Sequence, residues 1–427
     1  MRGERNLVYR TLAGLAALAG GGVAAFAQTP SFTGLSSPFG FGTRVASVAG
    51  VTPDGSAVVG GAYIESGSSY SYTSFRWRRD IGFDEPVPAL PNSLSEVRGI
   101  SDDGRTIVGN IESTFDVTAW IVTDGAAVTL LGRTVAGISG DGSTCVGWTP
   151  ADWSPDNQDH AGVFDTSSGE WTTLVLPPQY SGSRAFNASF DGSVIAGEAP
   201  IGLLGVPEAF VSSSGGVQRI VGPGDYFASS TICVDATGTV VFGSDVRRED
   251  DPFEGPVLRR VGWRWTAQDG AVEIGTLEIH AVSRDGRVAV GCYVDEEFGT
   301  PTSAQVWDAF HGTRPLAEIM AAAGLVPELA GWTLRTVDAV GRAGLEWSLA
   351  GTGTDPEGND AAWVATLPFE ALACTADYNL DGFVNGVDFD TFVGAFEAGD
   401  VTADLDGDGF VNGVDFDGFT LAFEAGC

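Results

Sequence analysis

The sequence predicts an all-β seven-bladed β-propeller followed by a small α-helical C-terminal domain made of a duplicated unit. Three observations carry this expectation. A hairpin pattern with paired glycines returns seven times between about residues 45 and 367, each return is followed by a strand bearing a large aromatic, and the phrase ADYNLDGFVNGVDFDTF at Ala376 reappears as ADLDGDGFVNGVDFDGF at Ala403. At 427 residues the chain is long enough for a large core plus an appendage.

Residues 1–27 come first. Arg2, Arg5 and Arg10 precede the nearly uncharged stretch TLAGLAALAGGGVAAFA, which closes on the small-x-small pattern Ala25-Phe26-Ala27. This reads as a secretory signal peptide. Its 17 residues, four of them glycine, are short for a hydrocarbon layer of about 30 Å. The expectation is a secreted protein, at a bacterial cell surface or in the extracellular medium.

The propeller is assigned to residues 28–370. Its turns are TPDG (Gly55), DDG (Gly104), GDG (Gly142), FDG (Gly192), ATG (Gly238), RDG (Gly286) and the degenerate RAG (Gly344). Their partners are Gly60, Gly109, Gly147, Gly197, Gly243, Gly291 and Gly351, five residues on in six of the seven. VRGISDDGRTIVG shows the logic: two apolar alternations meet at a tight turn, where Asp favours entry and Gly supplies the positive φ. A third strand carries Phe75 and Trp77, Trp120, Phe164, Phe210, Trp263 and Trp265, Trp307 or Trp363, and a fourth follows, as in AVTLLG. Four strands per unit, with 38 to 58 residues between successive turn glycines, is propeller arithmetic. The seventh unit runs from AAWVATLP towards Cys374 without a fourth strand, so Ser31 to Ser36 is expected to complete it beside Asp360 to Thr366.

The string VRGISDDGRTIVG…AWIV…VTLLG, with the closing LAGWTLRTVDAVGRAGLEWSLAGTGTDPEGNDAAWVATL, resembles the HAF-repeat family of exported bacterial proteins over about three quarters of the chain. The resemblance implies a surface or secreted propeller with no agreed chemistry. Thr237 departs from it, where a turn Asp is usual.

Composition narrows the function classes. The formal charge is -34, and all 22 basic residues are Arg. So acidic a surface repels nucleic acid and anionic lipid, and nucleic-acid binding is not expected. Without Lys there is no Schiff-base chemistry, and HExxH, G-x-S-x-G and Walker patterns are absent. His160 and His311 fall in or beside loops and His280 at a strand start, while Cys145, Cys233 and Cys292 read as buried hydrophobes. A non-catalytic propeller is expected. The alternative is a polysaccharide-active hydrolase or lyase with a carboxylate pair in a central pocket. The stretches between second and third strands read as long loops crowding one face, with Tyr70, Trp148 and Trp153 as a ligand face for a glycan or protein.

The C-terminal domain is assigned to residues 371–427. DYNLDGFVNGVD and DLDGDGFVNGVD place oxygen-bearing side chains at positions 1, 3, 5, 9 and 12 with Gly at 6. A hard cation wants six or seven oxygens, and the chain must turn sharply at position 6 to gather them, so two calcium ions are expected. The first would use Asp377, Asn379, Asp381, the Phe383 carbonyl, Asn385 and Asp388; the second Asp404, Asp406, Asp408, the Phe410 carbonyl, Asn412 and Asp415. Phe389, Phe392 and Phe396, then Phe416, Phe419 and Phe423, give each loop an apolar helix behind it. A Cys374–Cys427 disulfide would close a unit too small to rely on core burial.

Position 12 is Asp rather than Glu, and no helix precedes the first loop, so residues 374 to 427 resemble the type I dockerin family, specifically its GC-type variant with flanking Cys374 and terminal Gly426-Cys427. The resemblance implies a duplicated EF-hand-like module that binds a cohesin-like surface receptor. It places receptor reading on Gly386, Val387 and Val393 in the first half and Gly413, Val414, Thr420 and Leu421 in the second, where cellulosomal dockerins commonly carry polar or basic pairs. The functional expectation is an exported recognition or scaffold propeller, anchored through a calcium-dependent tail.

Overall fold

The computed structural model describes residues 29–35, 43–66, 69–84, 94–112, 117–201, 206–222, 226–251, 255–295, 299–405 and 410–426. The leader expected over residues 1–27 lies outside them, as do Asp406, Asp408 and Cys427. Seven antiparallel sheets follow one another along the chain, six of four strands and a last of five. In blade two the strands Leu94–Ile100, Thr106–Glu112, Val117–Thr123 and Ala126–Leu131 pair in sequence order, and blades one and three to six repeat the plan. The protein is a seven-bladed β-propeller.

The repeated glycines have two separate causes. All seven turn glycines sit at positive φ, between 59° and 76°, where a Cβ would be strained. The second glycine is a matter of space. In blade two, a Cβ on Gly109 would fall on the Glu96 carbonyl and the Trp120 ring, because Gly109 pairs with Trp120 on one side and Val97 on the other. Gly60 and Phe75, Gly197 and Phe210, Gly243 and Trp263, and Gly351 and Trp363 repeat the pairing.

The hairpin turns of blades one to six are also tied by side chains. Ser101 Oγ donates to Asp103 Oδ1 at 2.6 Å, which accepts from Arg105 N at 3.0 Å, while Ser101 Oγ accepts from Thr106 N at 3.0 Å. Ser139–Asp141, Ser189–Asp191 and Ser283–Asp285 form the same knot. In blade five the roles are exchanged: Asp235 takes the Ser position and accepts from Val240 N at 2.9 Å and from the Thr237 hydroxyl at 2.5 Å. The Thr237 departure is therefore compensated two residues earlier. Main-chain bonds join turns of successive blades, Asp102 N to Gly140 O, Asp141 N to Phe190 O and Ala236 N to Arg284 O, each 2.8–2.9 Å. The core lies between blades, as where Val59 of blade one joins Val97, Ile107 and Trp120 of blade two.

The ring closes as the sequence predicts. Ser31–Leu35 pairs antiparallel with Asp360–Pro368, from Ser31↔Thr366 to Leu35↔Ala362, as the outermost strand of blade seven. Leu35 is 2 % exposed, and Phe32 packs against Trp332 and Trp363 with centroids 5.3 and 6.1 Å away.

Two features differ from expectation. The long inter-strand loops of blades one and five are extended hairpins, Ala57–Ser66 with Ser69–Arg78 and Val240–Asp251 with Gly255–Thr266, paired as far as Ser66↔Ser69 and Asp251↔Gly255. Their Tyr, Val and Arg alternation continues the strand instead of leaving it. Between blades six and seven stands a helix, Leu316–Ala322, burying Leu316, Ile319 and Met320, which the repeat pattern did not predict.

The tail forms two 13-residue helices, Gly386–Ala398 and Gly413–Ala425. Asn385 and Asn412 cap them, and Asp388 and Asp415 complete capping boxes. The predicted phenylalanine faces meet in a shared core where Phe392 stacks on Phe419 at 4.1 Å. This small unit rests on blades six and seven. Arg287 Nη1 donates to Asp377 O at 3.2 Å, Arg314 Nη2 to Leu372 O at 3.0 Å, and Arg342 Nη2 to Leu405 O. Arg287 also lies 5.3 Å over the Tyr378 ring. The tail carries twelve carboxylates and no basic side chain, so these arginines are its electrostatic complement.

Candidate functional site

Local chain chemistry builds the first tail loop around two buried carboxylates, Asp377 and Asp388, 1 % and 0 % exposed. Asp377 Oδ1 accepts from Asp381 N and Oδ2 from Gly382 N, both at 3.1 Å. Asp388 Oδ1 accepts from Tyr378 N and Asn379 N, and Oδ2 from Asn385 N, at 2.8–3.1 Å. Gly382 sits at φ 85° and Leu380 at φ 61°, the turn that brings positions 1, 3, 5 and 12 together. Burial raises the Asp377 pKa, the Asp388 and Asp381 charges add to it, and the amides of Gly382 and Asp381 pull it back. A carboxylate oxygen bound to one N–H keeps a second lone pair. Carboxylates gathered by one tight turn suit a hard divalent ion. In the second loop Asp415 repeats the arrangement, accepting from Leu405 N at 2.7 Å and Asn412 N at 2.8 Å.

The residues assigned to receptor reading divide. Val387, Val414 and Leu421 are exposed at 57 %, 60 % and 69 %, beside Phe383 and Phe410 at 70 % and 72 %. Gly386 and Gly413 open the two helices and are exposed. Val393 instead packs against the aromatic core, and Thr420 Oγ1 bonds the Phe416 carbonyl of its own helix.

The propeller's channel, about 560 Å³, is lined by the innermost strands of all seven blades. Trp148 lines it and carries the Arg184 guanidinium 5.4 Å over its ring. Trp153 lies elsewhere, in the turn Ala151–Trp153 against Gly132. Tyr70 is in the hairpin of blade one, paired with Glu65; its side chain lies outside what the structure describes. Near the hairpin-turn end Arg284 crosses the channel, pairing with Asp102 at 3.1 Å and lying 3.5 Å over the Phe190 ring.

One cluster in the channel wall escaped the sequence reading. His280 Nδ1 is 2.7 Å from Asp338 Oδ1, and its Nε2 is 3.6 Å from Cys292 Sγ. Glu278 adds a carboxylate, its donor atom within 4.8 Å of the other two. Burial works against protonation of His280, but its bonds to Asp338 and Cys292 prevail and push the pKa up to about 10. His280 is the extra residue of a β-bulge between Ile279 and Ala281. The same bulge stands at Arg98, Ala136 and Phe186 in blades two to four, all lining the channel. That periodicity was the available signal.

No family model matches the chain, and no curated protein matches it. Solved structures do. A putative TolB from Agrobacterium tumefaciens is 13 % identical, covering 76 % of this chain and 91 % of that one, with a TM-score of 0.40. An oligogalacturonate lyase in complex with manganese is 11 % identical, covering 81 % and 98 %, at 0.49. The propeller domain of the Trilobed protease from Pyrococcus furiosus is 11 % identical, covering 78 % and 96 %, at 0.48. The propeller architecture stands on the sheet topology itself, and the likenesses extend to no chemistry.

Proposed function

We propose that this chain is an exported, non-catalytic recognition propeller, held to a cohesin-like or other surface receptor by a calcium-loaded C-terminal module. The observation that supports it most is the pair of equivalent loops, 377–388 and 404–415. Each runs into a capped helix, and each leaves the same apolar side chains in solvent, Phe383 with Phe410 and Val387 with Val414. Paired exposed apolar residues on a small, highly charged unit mark an interaction surface. Asp377, Asn379, Asp381, Asn385 and Asp388 with the Phe383 carbonyl would hold one ion, and Asp404, Asp406, Asp408, Asn412 and Asp415 with the Phe410 carbonyl the other. Calcium would gather these acids, whose mutual repulsion otherwise opposes the fold. A Cys374–Cys427 disulfide belongs to the same proposal: Cys374 is buried and is not among the free thiols Cys145, Cys233 and Cys292.

The channel supports recognition over hydrolysis. Its carboxylates already face cations: Glu96 meets Arg98 at 2.7 Å, Asp102 meets Arg284 at 3.1 Å and Asp338 meets His280 at 2.7 Å. A glycosidase pair needs one acid held protonated beside another left free. The test is a glycan and protein binding screen with the full chain, in calcium and in chelator. Calcium-dependent capture of a surface protein, abolished by Val387→Asp with Val414→Asp, is expected; polysaccharide cleavage would overturn the non-catalytic reading.

A further inference from the structure

We propose that Glu278, His280 and Cys292 form a binding site for a divalent transition ion of the zinc class in the wall of the propeller channel. It is separate from the calcium loops in place and in chemistry. The three residues offer one oxygen, one imidazole nitrogen and one sulfur, a mixed set that suits a borderline-soft ion and does not suit calcium.

The spacing is the first argument. A nitrogen bound at about 2.0–2.1 Å and a sulfur at about 2.3 Å, at a tetrahedral angle, stand about 3.6 Å apart. His280 Nε2 and Cys292 Sγ are 3.6 Å apart. The Glu278 carboxylate lies within 4.8 Å of both, and its three side-chain torsions can bring it the remaining ångström. Arg260 holds the same carboxylate, its Nη1 3.0 Å from Oε1, and a carboxylate has a second oxygen to offer.

The support behind the ligands is the second argument. Nδ1 of His280 faces Asp338 Oδ1 at 2.7 Å, and Asp338 Oδ2 accepts from Thr336 Oγ1 at 2.8 Å. A carboxylate on the far nitrogen fixes the ring and directs Nε2 at the metal, the usual outer partner of a ligating histidine. The backbone is pinned as well. Glu278 pairs directly with Cys292 across the strands, Ile279 N donates to the buried Ser244 Oγ at 2.6 Å, and Val337 N donates to Gly291 O at 3.1 Å. That last bond ties the Asp338 segment of blade seven to the residue before Cys292.

Access is the third. Cys292 is fully buried, whereas the His280 and Glu278 side chains keep 22 % and 19 % of their surface, and His280 lines the channel. A fourth position is thus open to water or a small ligand, as in zinc sites with three protein ligands. Ligation takes Cys292 as thiolate and His280 with Nε2 unprotonated, so protons leave as the ion enters.

The experiment titrates Co²⁺ into the full chain with calcium already in excess. One equivalent is expected to give an intense tetrahedral visible spectrum and a sulfur-to-cobalt band in the near ultraviolet, both removed by stoichiometric Zn²⁺. Cys292→Ser should abolish the sulfur band and Cys145→Ser should keep it. Asp338→Asn, a positioning change, should weaken Co²⁺ about 10–100-fold while leaving the sulfur band at saturation. Glu278→Gln, on a partly exposed side chain, reports independently if Cys292→Ser fails to fold, and should weaken Co²⁺ at least about tenfold. No sulfur band, a band that survives Cys292→Ser, or unchanged affinity in Glu278→Gln would overturn the site.

Discussion

Replacing Leu35 with Ala attacks the closure of the ring at one side chain. Leu35 is 2 % exposed and lies in one apolar cluster with Val45, Val58, Ala362 and Val364, so it joins the N-terminal strand to blades one and seven at once. Losing a buried leucine's methyl groups and leaving the cavity costs about 2–5 kcal/mol. At roughly 2 °C per kcal/mol for a domain of this size, the melting midpoint should fall by about 4–10 °C. Thr33, exposed in the same strand, is the control, and Thr33→Ala should stay within about 0.5 kcal/mol. Thermal unfolding followed by tryptophan fluorescence is the assay, since Trp332 and Trp363 flank the neighbouring Phe32. Equal midpoints for Leu35→Ala and Thr33→Ala would refute the claim that this strand holds the ring shut.

Gly109→Ala should lower the urea midpoint by the equivalent of about 1–3 kcal/mol, because the new methyl meets the Glu96 carbonyl and Trp120; a neutral result would contradict the second-glycine argument. Chelator should expose residues 374–427 to protease while the propeller's far-ultraviolet signal persists, and Arg342→Ala should hasten that cleavage, since Arg342 bonds both Leu405 O and Asp285. Asp191 is held below its ordinary 3.8 by the Ser193 hydroxyl and amide and the Ser189 hydroxyl. A depressed folded value means its contribution is complete above the unfolded value and is lost as pH falls through the folded one. The urea-midpoint gap between wild type and Asp191→Asn should therefore be full at neutral pH and close in acid.

What was legible in the sequence is what local chemistry repeats. Turn glycines such as Gly104 need a positive φ, second glycines such as Gly109 need space, and both requirements recur blade by blade until the pattern shows through low identity. The closing strand was legible for a topological reason: an unfinished seventh blade and an unassigned SFTGLS have one consistent solution. The tail's helices were readable from phenylalanines spaced three and four apart. By contrast, although the recurring bulge could have placed His280 on the channel, its meeting with Glu278, Cys292 and Asp338 depends on strand pairing and on contact between neighbouring blades, which no local spacing encodes. The docking of the tail was hidden likewise, because Arg287, Arg314 and Arg342 are scattered and meet their partners through main-chain carbonyls. Blade five's hairpin passed for a loop because its charged residues, Arg247 to Asp251, disguise a strand pairing that continues to Asp251↔Gly255.

On the proposed reading the duplicated acidic loops would bind calcium and thereby assemble the C-terminal module. Calorimetric titration of calcium into the full chain tests it most directly. Two ions per chain are expected, falling to one in Asp388→Ala and to none when Asp415→Ala is added. Absence of calcium uptake, or a stoichiometry indifferent to both substitutions, would contradict it.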